Sequence, residues 1–151
     1  MPRIFDNIDQ KLLPTLRDAL ELSNHADFCV GYFNLRGWKQ LDQNIEKWSG
    51  GDGNCCRLLV GMHRHPQEEL RDVLGLGKAQ TEIGLATANK LKKKLAEEFR
   101  NQLTVGVPTN EDENGLRRLA RQIKAKKVQV KLFLRHPLHA KLYLKPKTSD
   151  G

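Results

Sequence analysis

The chain has 151 residues, of which 38% are apolar and 29% are charged, and its formal net charge is +8. This composition is typical of one soluble globular domain, and it excludes a disordered or fibrous chain. No run approaches the roughly 18 apolar residues that a membrane span needs, and no secretory signal is evident, so we expect a cytoplasmic protein without membrane attachment.

The first half of the chain predicts a helix followed by a strand, helix, strand unit. Apolar residues at helical spacing predict a helix over about 9–22. The run 27–33 is mostly apolar and aromatic and predicts a buried strand, after which Asn34 can cap a helix that reaches Trp48. A second buried strand is predicted over 56–61. A connection of this length indicates a parallel crossover.

The middle of the chain is predicted to be helical. A short helix is expected over 68–74, and a long amphipathic helix carries Leu91, Leu95, Phe99 and Leu103 four residues apart. The acidic run 111–113 suits the positive end of a further helix. We expect the core face of that helix to consist of Leu116, Leu119, Ala120 and Ile123.

Two segments near the C-terminus alternate with period two, residues 128–134 and 138–144. Only three residues separate them, which predicts a hairpin. The sequence as a whole therefore predicts an α/β fold, a mixed β-sheet flanked by helices. In the last strand, His139, Lys141 and Tyr143 are predicted to share one face of the sheet.

A histidine and a lysine fixed side by side on a strand suit phosphoryl chemistry. An imidazole nitrogen can attack phosphorus, and the neighbouring ammonium can offset charge that develops on the phosphate oxygens. The alternative for His139 and Lys141 is a strand with a solvated polar face. His63 and His65 are interpreted as loop residues, and the three cysteines lack the spacing of a zinc site, so no metal site is predicted.

The segment 138–144, Leu-His-Ala-Lys-Leu-Tyr-Leu, resembles the His-x-Lys strand of the phospholipase D superfamily. The segment 30–38, Val-Gly-Tyr-Phe-Asn-Leu-Arg-Gly-Trp, is similar to the first strand and helix of phospholipase D-like domains at the N-termini of bacterial helicase-related proteins of the Swi/Snf type. The resemblance implies a phospholipase D-like α/β/α sandwich, with residues 1–151 as a single domain that is incomplete at its C-terminus.

The resemblance also implies a metal-independent phosphodiesterase in which His139 forms a covalent phosphohistidine and Lys141 binds the phosphate. Two such motifs meet at one site in that family, and this chain has one copy, so a homodimer is expected to complete the site. No cofactor is expected in this chain. ATP and Mg²⁺ are expected only for motor domains outside it.

Two features depart from the family pattern. Pro146 stands where the family has an aspartate, and the chain reaches Gly151 before any downstream Gly-Ser-x-Asn-like segment. We therefore expect an excerpt from the N-terminal part of a longer protein. Two functions stay open, a nuclease domain acting on DNA and a catalytically inactive DNA-binding module of the same helicase-related protein. RNA or lipid phosphodiesters are a weaker third possibility.

Charge is unevenly distributed along the chain. Residues 1–89 have a net charge of −2, whereas residues 90–151 have a net charge of +10. This excess favours a polyanionic partner, with DNA as the expected one, and a solvated helix surface is the alternative. The predicted contacts are Lys92, Lys93, Lys94, Arg117, Arg118, Arg121, Lys124 and Lys126. Trp38 and Trp48 are predicted to pack in the core rather than stack on bases.

Overall fold

A computed structural model describes residues 11–62, 85–104, 106, 109–134 and 138–144. The predicted helix 68–74, the two histidines His63 and His65, and Pro146 lie outside these residues.

The described elements alternate between helices and strands, as the sequence predicts. In chain order they are α1 (Leu12–Glu21), β1 (Ala26–Val30), α2 (Leu35–Trp38), α3 (Asp42–Glu46), β2 (Cys56–Gly61), α4 (Leu85–Leu103), α5 (Asn110–Lys124), β3 (Val128–Phe133) and β4 (Lys141–Leu144). The fold is α/β, which confirms the predicted class.

The four strands form one mixed open sheet in the order β3-β2-β1-β4. β1 pairs in parallel with β2, and β2 pairs in parallel with β3, which confirms the predicted crossover. β4 pairs antiparallel with β1. The predicted hairpin is wrong, because β3 and β4 lie at opposite edges of the sheet.

The connection between β3 and β4 explains this difference. Crossing from one edge to the other covers three strand spacings, about 14 Å, and seven extended residues reach about 23 Å. Residues 138–140 of this connection lie at the carboxyl end of the sheet, where Leu138 is close to both Gly31 and Gly61. We call residues 138–140 the crossing segment. β4 then covers the edge of β1 that a hairpin would have left unpaired.

Two glycines make room for the crossing segment. A Cβ atom on Gly31 would overlap the carbonyl oxygen of Leu138, and one on Gly61 would lie 3.0 Å from the Leu138 Cβ. The Gly31 amide donates a 2.7 Å hydrogen bond to the Ala140 carbonyl. Close backbone approach at these two positions requires glycine.

The main core lies between one face of the sheet and the helices. Alternate residues of β1 and β2 point into it, and so do Trp38, Ile45 and Trp48. The predicted burial of both tryptophans is confirmed, at 2% and 6% exposure. The Trp38 ring also packs against the Phe33 ring, with centroids 5.5 Å apart.

The predicted helix after Asn34 is broken into two short helices. The Asn34 side chain accepts a 2.9 Å hydrogen bond from the Gly37 amide, so the predicted cap is confirmed. Residues 39–41 form a turn between α2 and α3, and the helical stripe continues beyond it. Trp38, Leu41 and Ile45 are all buried as a result.

Helix α5 begins as predicted but buries a different face. Thr109 and Asp112 form a capping box, and acidic residues occupy the first turn. The buried positions are Asp112, Gly115, Leu119 and Gln122, whereas Ala120 and Ile123 are exposed. The predicted core face was therefore wrong for Ala120 and Ile123, because hydrogen bonds allow the polar Gln122 to be buried in their place.

Among the described residues, a depression on the second face of the sheet is lined by strand residues. Side chains including Cys29, Arg57, Leu59 and Leu142 surround this depression, whose volume is about 290 Å³. Leu142 and Leu144 are half exposed. A second helical layer, as a sandwich requires, is not found among the described residues. No helix within the described ranges is both long and apolar enough to cross a membrane.

Candidate phosphate site at the carboxyl end of the sheet

His139 and Lys141 lie where the crossing segment enters β4. Both residues are exposed. Lys141 is the register partner of Val30, and the hydrogen bond between Gly31 and Ala140 continues this register by one residue. His139 therefore stands opposite Tyr32, just beyond the carboxyl end of β1.

The two side chains are not used by the fold. Within the described part of the chain, the side chains of His139 and Lys141 form no hydrogen bond and no ion pair. An exposed imidazole and ammonium without partners are available to a ligand, because no internal interaction has to be broken first. Their placement is compatible with the predicted phosphate site, whose chemical role stays a prediction.

The structure decides which face of the sheet carries these residues. The Tyr143 ring lies against the Phe28 ring, with centroids 5.0 Å apart and nearly perpendicular planes. Phe28 belongs to the core between sheet and helices. Lys141 lies two residues from Tyr143 and so shares its face, which is the helix-covered one. Leu142 and Leu144 point to the open face instead.

A polar pocket of about 240 Å³ begins at Tyr32, just beyond the carboxyl end of β1. It is lined by Tyr32, Asn34, Arg36, Leu103, Thr104 and Asp112. Tyr32 and Asn34 belong to the connection between β1 and α2, and Arg36 lies in the first turn of α2. Open α/β sheets place ligand groups at such carboxyl ends of parallel strands.

Arg36 is the cation of this pocket. Its side chain is exposed and forms no ion pair with the acidic residues that the structure describes. The guanidinium passes close to Gly106, where an added Cβ atom would lie 3.1 Å from Nη2. Gly106 has a φ of +116°, a conformation that favours glycine. A glycine at position 106 therefore allows this backbone conformation and leaves room for the Arg36 side chain.

Asp112 lines the same pocket, but its carboxylate is already occupied. It accepts hydrogen bonds from the Thr109 hydroxyl and backbone amide, at 2.8 and 3.1 Å, and from Lys39 Nζ at 3.2 Å. These contacts, the Thr109 hydroxyl foremost, hold the pKa of Asp112 below its ordinary value. The carboxylate stays ionised and paired with Lys39.

The predicted nucleic-acid contacts are dispersed rather than gathered around His139. Lys92 and Lys93 are exposed on α4, whereas Lys94 is half-buried and has a contact. Arg121, Lys124 and Lys126 are exposed near the end of α5, which leads into the amino end of β3. That end of the sheet lies opposite the end that carries His139.

Two neighbouring arginines of α5 have different surroundings. Arg117 is exposed and pairs with Glu113 one helical turn away, at 2.7 Å. Arg118 donates a 3.0 Å hydrogen bond to Asp42, which is fully buried. Arg118 is half-buried and is held by its ion pair with Asp42, so its predicted contact with DNA would compete with this ion pair.

Asp42 belongs to a polar network beneath α5, which we call the α3–α5 network. Gln122 is its centre: its side-chain oxygen accepts from Trp38 Nε1 at 3.2 Å, and its amide donates to the Asp42 carbonyl and the Glu46 carboxylate. Burial raises the pKa of Asp42 even though Arg118 lies beside it. The network consists of Trp38, Asp42, Glu46, Arg118 and Gln122.

Sequence reasoning did not single out Tyr32, Asn34 and Arg36 as site residues. They belong to the segment that carries the family resemblance, and they directly follow a buried parallel strand. That position was the available signal, because ligands bind at the carboxyl ends of parallel strands. The neighbourhood of His139 could not be read from the sequence, since it depends on β4 pairing with β1.

The described residues include no group of three or more His, Cys, Asp or Glu side chains that could hold a metal ion. No family model, curated protein or solved structure matches the chain.

Proposed function

We propose that the chain is a phospholipase D-like phosphodiesterase domain that acts on DNA through a covalent phosphohistidine at His139. The observation that carries the proposal is the position of His139 and Lys141, whose side chains are exposed at the carboxyl end of β1 and have no hydrogen-bond or ion-pair partner among the described residues. The phospholipase D-like sandwich and the link to a helicase-related protein rest on the sequence resemblance.

The proposed reaction has two steps. A nitrogen of His139 attacks the phosphorus, and the bond from phosphorus to the leaving oxygen breaks as that oxygen takes up a proton. Water then attacks the phosphohistidine and gives its proton to the group that protonated the leaving oxygen, so that the bond from phosphorus to the imidazole nitrogen breaks, the phosphate product is released and both groups are restored. Lys141 offsets the negative charge on the non-bridging oxygens in both steps.

The proton for the leaving oxygen requires a second acid. We assign it to the histidine of a second copy of the chain, so that a homodimer completes the site. The position of His139 near the edge strand supports this assignment, because an exposed edge is accessible to a second molecule.

A binding module without turnover is the second candidate. Pro146 stands at the position of the family aspartate, and no described carboxylate contacts His139. A histidine without such a partner is not held in one tautomer. This module would use the exposed cations to bind DNA and would position the DNA for a helicase-related motor.

Cleavage of single- and double-stranded DNA in EDTA tests the proposal. We expect cutting by the wild type and none by His139→Ala, with His25→Ala as the matched control because His25 precedes the opposite end of β1. Trapping of a protein–DNA adduct that is lost in His139→Ala would support the covalent step. Equal cutting by His139→Ala and wild type would contradict the nucleophile, and DNA binding without any cutting would favour the second candidate.

A further inference from the structure

We propose that the pocket of Tyr32, Asn34 and Arg36 binds the segment of single-stranded DNA next to the phosphate held by His139 and Lys141. Arg36 binds a neighbouring phosphate, and Tyr32 stacks on an unpaired base. This inference rests on the proposed function, because it names the substrate class of the same site.

The register of the sheet places the pocket beside His139. Lys141 is paired with Val30, and Gly31 is hydrogen bonded to Ala140, so Tyr32 follows at the level of His139. Tyr32 also lines the pocket that contains Arg36. A strand of DNA that runs from His139 along the carboxyl end of the sheet therefore meets Tyr32 first and Arg36 next.

Arg36 has the chemistry of a phosphate contact. Its guanidinium carries several donors in a planar fork that matches two phosphate oxygens. It forms no ion pair with described acidic residues, and the one carboxylate of the pocket, Asp112, is occupied by Thr109 and Lys39. An incoming phosphate thus meets an uncompensated positive charge.

Tyr32 favours an unpaired base over a duplex. Its side chain is 41% exposed, and it separates the polar pocket from an apolar depression of about 370 Å³ formed with Phe28, Phe33 and Leu12. An exposed ring can stack on a nucleobase, and a base offers its flat face only when it is unstacked. In a duplex those faces are covered by neighbouring base pairs.

The opposite end of the sheet provides an internal contrast. Arg121, Lys124 and Lys126 are exposed there and can attract phosphates of any nucleic acid. These three residues line neither the polar pocket nor the two depressions described above, among which Tyr32 lines two. Charge alone would bind single strands and duplexes without the preference that an aromatic contact adds.

Binding of a labelled single-stranded oligonucleotide and of a duplex of the same sequence tests the inference. The full chain carries His139→Ala throughout, so that no cutting interferes. We expect Arg36→Ala to weaken single-strand binding about tenfold and to reduce the slope of log affinity against log salt by about 0.7. Arg36→Lys should retain the slope, because it retains the charge.

The stacking contact is tested separately with Tyr32. We expect Tyr32→Leu to weaken single-strand binding about tenfold and duplex binding much less, whereas Tyr32→Phe should keep the affinity. For Arg36→Ala, the control that also removes one exposed cation is Lys131→Ala, because Lys131 lies on β3 and is not one of the predicted nucleic-acid contacts. Thermal melting of each variant confirms that it is folded.

Two outcomes would overturn the inference. One is that Arg36→Ala changes affinity and salt slope no more than Lys131→Ala. The other is that Tyr32→Leu weakens single strands and duplexes equally. Neither outcome depends on cleavage, so a protein that binds as expected but never cuts DNA would contradict the proposed reaction and leave this binding site intact.

Discussion

Two polar regions of the molecule differ in burial and in hydrogen bonding. One is the α3–α5 network, and the other is the carboxyl-end site, which comprises Tyr32, Arg36, His139 and Lys141. In the α3–α5 network, Gln122 is 1% exposed and bonds to three other members. At the carboxyl-end site, His139 and Lys141 are exposed and have no partner among the described residues.

This difference separates polar residues that hold the fold from those available to a ligand. A buried polar group stabilises the protein only while its hydrogen bonds are satisfied, so changing it affects unfolding. An exposed group without partners contributes little to stability, so changing it should affect binding or catalysis alone. The following predictions test this separation, starting from the largest expected effect.

Lys141→Ala should lower the rate of DNA cleavage on the order of a hundredfold or more, because the charge on the phosphate oxygens loses its counter-charge. The free energy of unfolding should change by less than about 0.5 kcal/mol, as for other exposed positions. Single-turnover cleavage and urea unfolding measure the two quantities. Lys131→Ala, an exposed lysine on β3, is the control and should leave both unchanged. A loss of stability as large as that of a core substitution would show that Lys141 stabilises the fold and is not simply available to a ligand.

Gly31→Ala should destabilise the fold by about 2 kcal/mol, because the added Cβ would overlap the Leu138 carbonyl and force the crossing segment to shift. The shift also displaces His139, so cleavage should fall. Gly37→Ala is the matched control, since its Cβ would meet only the Asn34 side chain, at 3.6 Å. Urea unfolding measures both variants. Equal stability of the two would show that the crossing segment is not held against Gly31.

Arg118→Ala and Arg117→Ala should differ although the residues are neighbours. Loss of Arg118 leaves the buried Asp42 carboxylate without its counter-charge and should cost about 2 kcal/mol of unfolding free energy. Loss of Arg117 removes an exposed pair within one helix and should cost about 0.3–0.5 kcal/mol. Urea unfolding at low and high salt measures both losses, and only the Arg117 effect should be strongly screened. Equal losses would contradict the stabilising role of the pair between half-buried Arg118 and buried Asp42.

Asp42→Asn should alter how stability depends on pH. The folded-state pKa of Asp42 lies above its ordinary value of 3.8, so the folded protein binds this proton more tightly than the unfolded chain. The stabilisation that this tighter proton binding gives the folded protein is complete below pH 3.8 and is lost as the pH rises through the folded-state pKa. The stability of wild type relative to Asp42→Asn should therefore fall with rising pH in that window. Urea unfolding between about pH 3.5 and 6.5 measures it. A relative stability that rises with pH would contradict the direction of the shift.

Much of the secondary structure was predictable because it depends on local patterns. The Asn34 cap, the acidic first turn of α5 and the alternation of the strands are all encoded within a few residues. The prediction of the buried face of α5 failed because contacts with distant residues allow a polar side chain to be buried there. Gln122 was not expected in the core because its burial depends on Trp38 and Asp42, which lie some 80 residues away in the sequence.

The candidate site was predictable only in part. His139 and Lys141 were identified from period two in a single strand, which the sequence shows directly. Tyr32 and Arg36 were not, because their proximity to His139 follows from the pairing of β4 with β1 rather than with β3. The error over the hairpin and the omission of Arg36 therefore have the same origin.

By itself, the sequence determined the α/β class, the order of the elements and the alternation that puts His139 and Lys141 on one side of a strand, since all of these depend on residues close along the chain. Only the tertiary structure decided the edge at which β4 lies, the face that carries Lys141 and the separation of the basic residues of α5 from His139. The physical reason is that strand pairing and burial are set by contacts between distant residues, which no local pattern specifies.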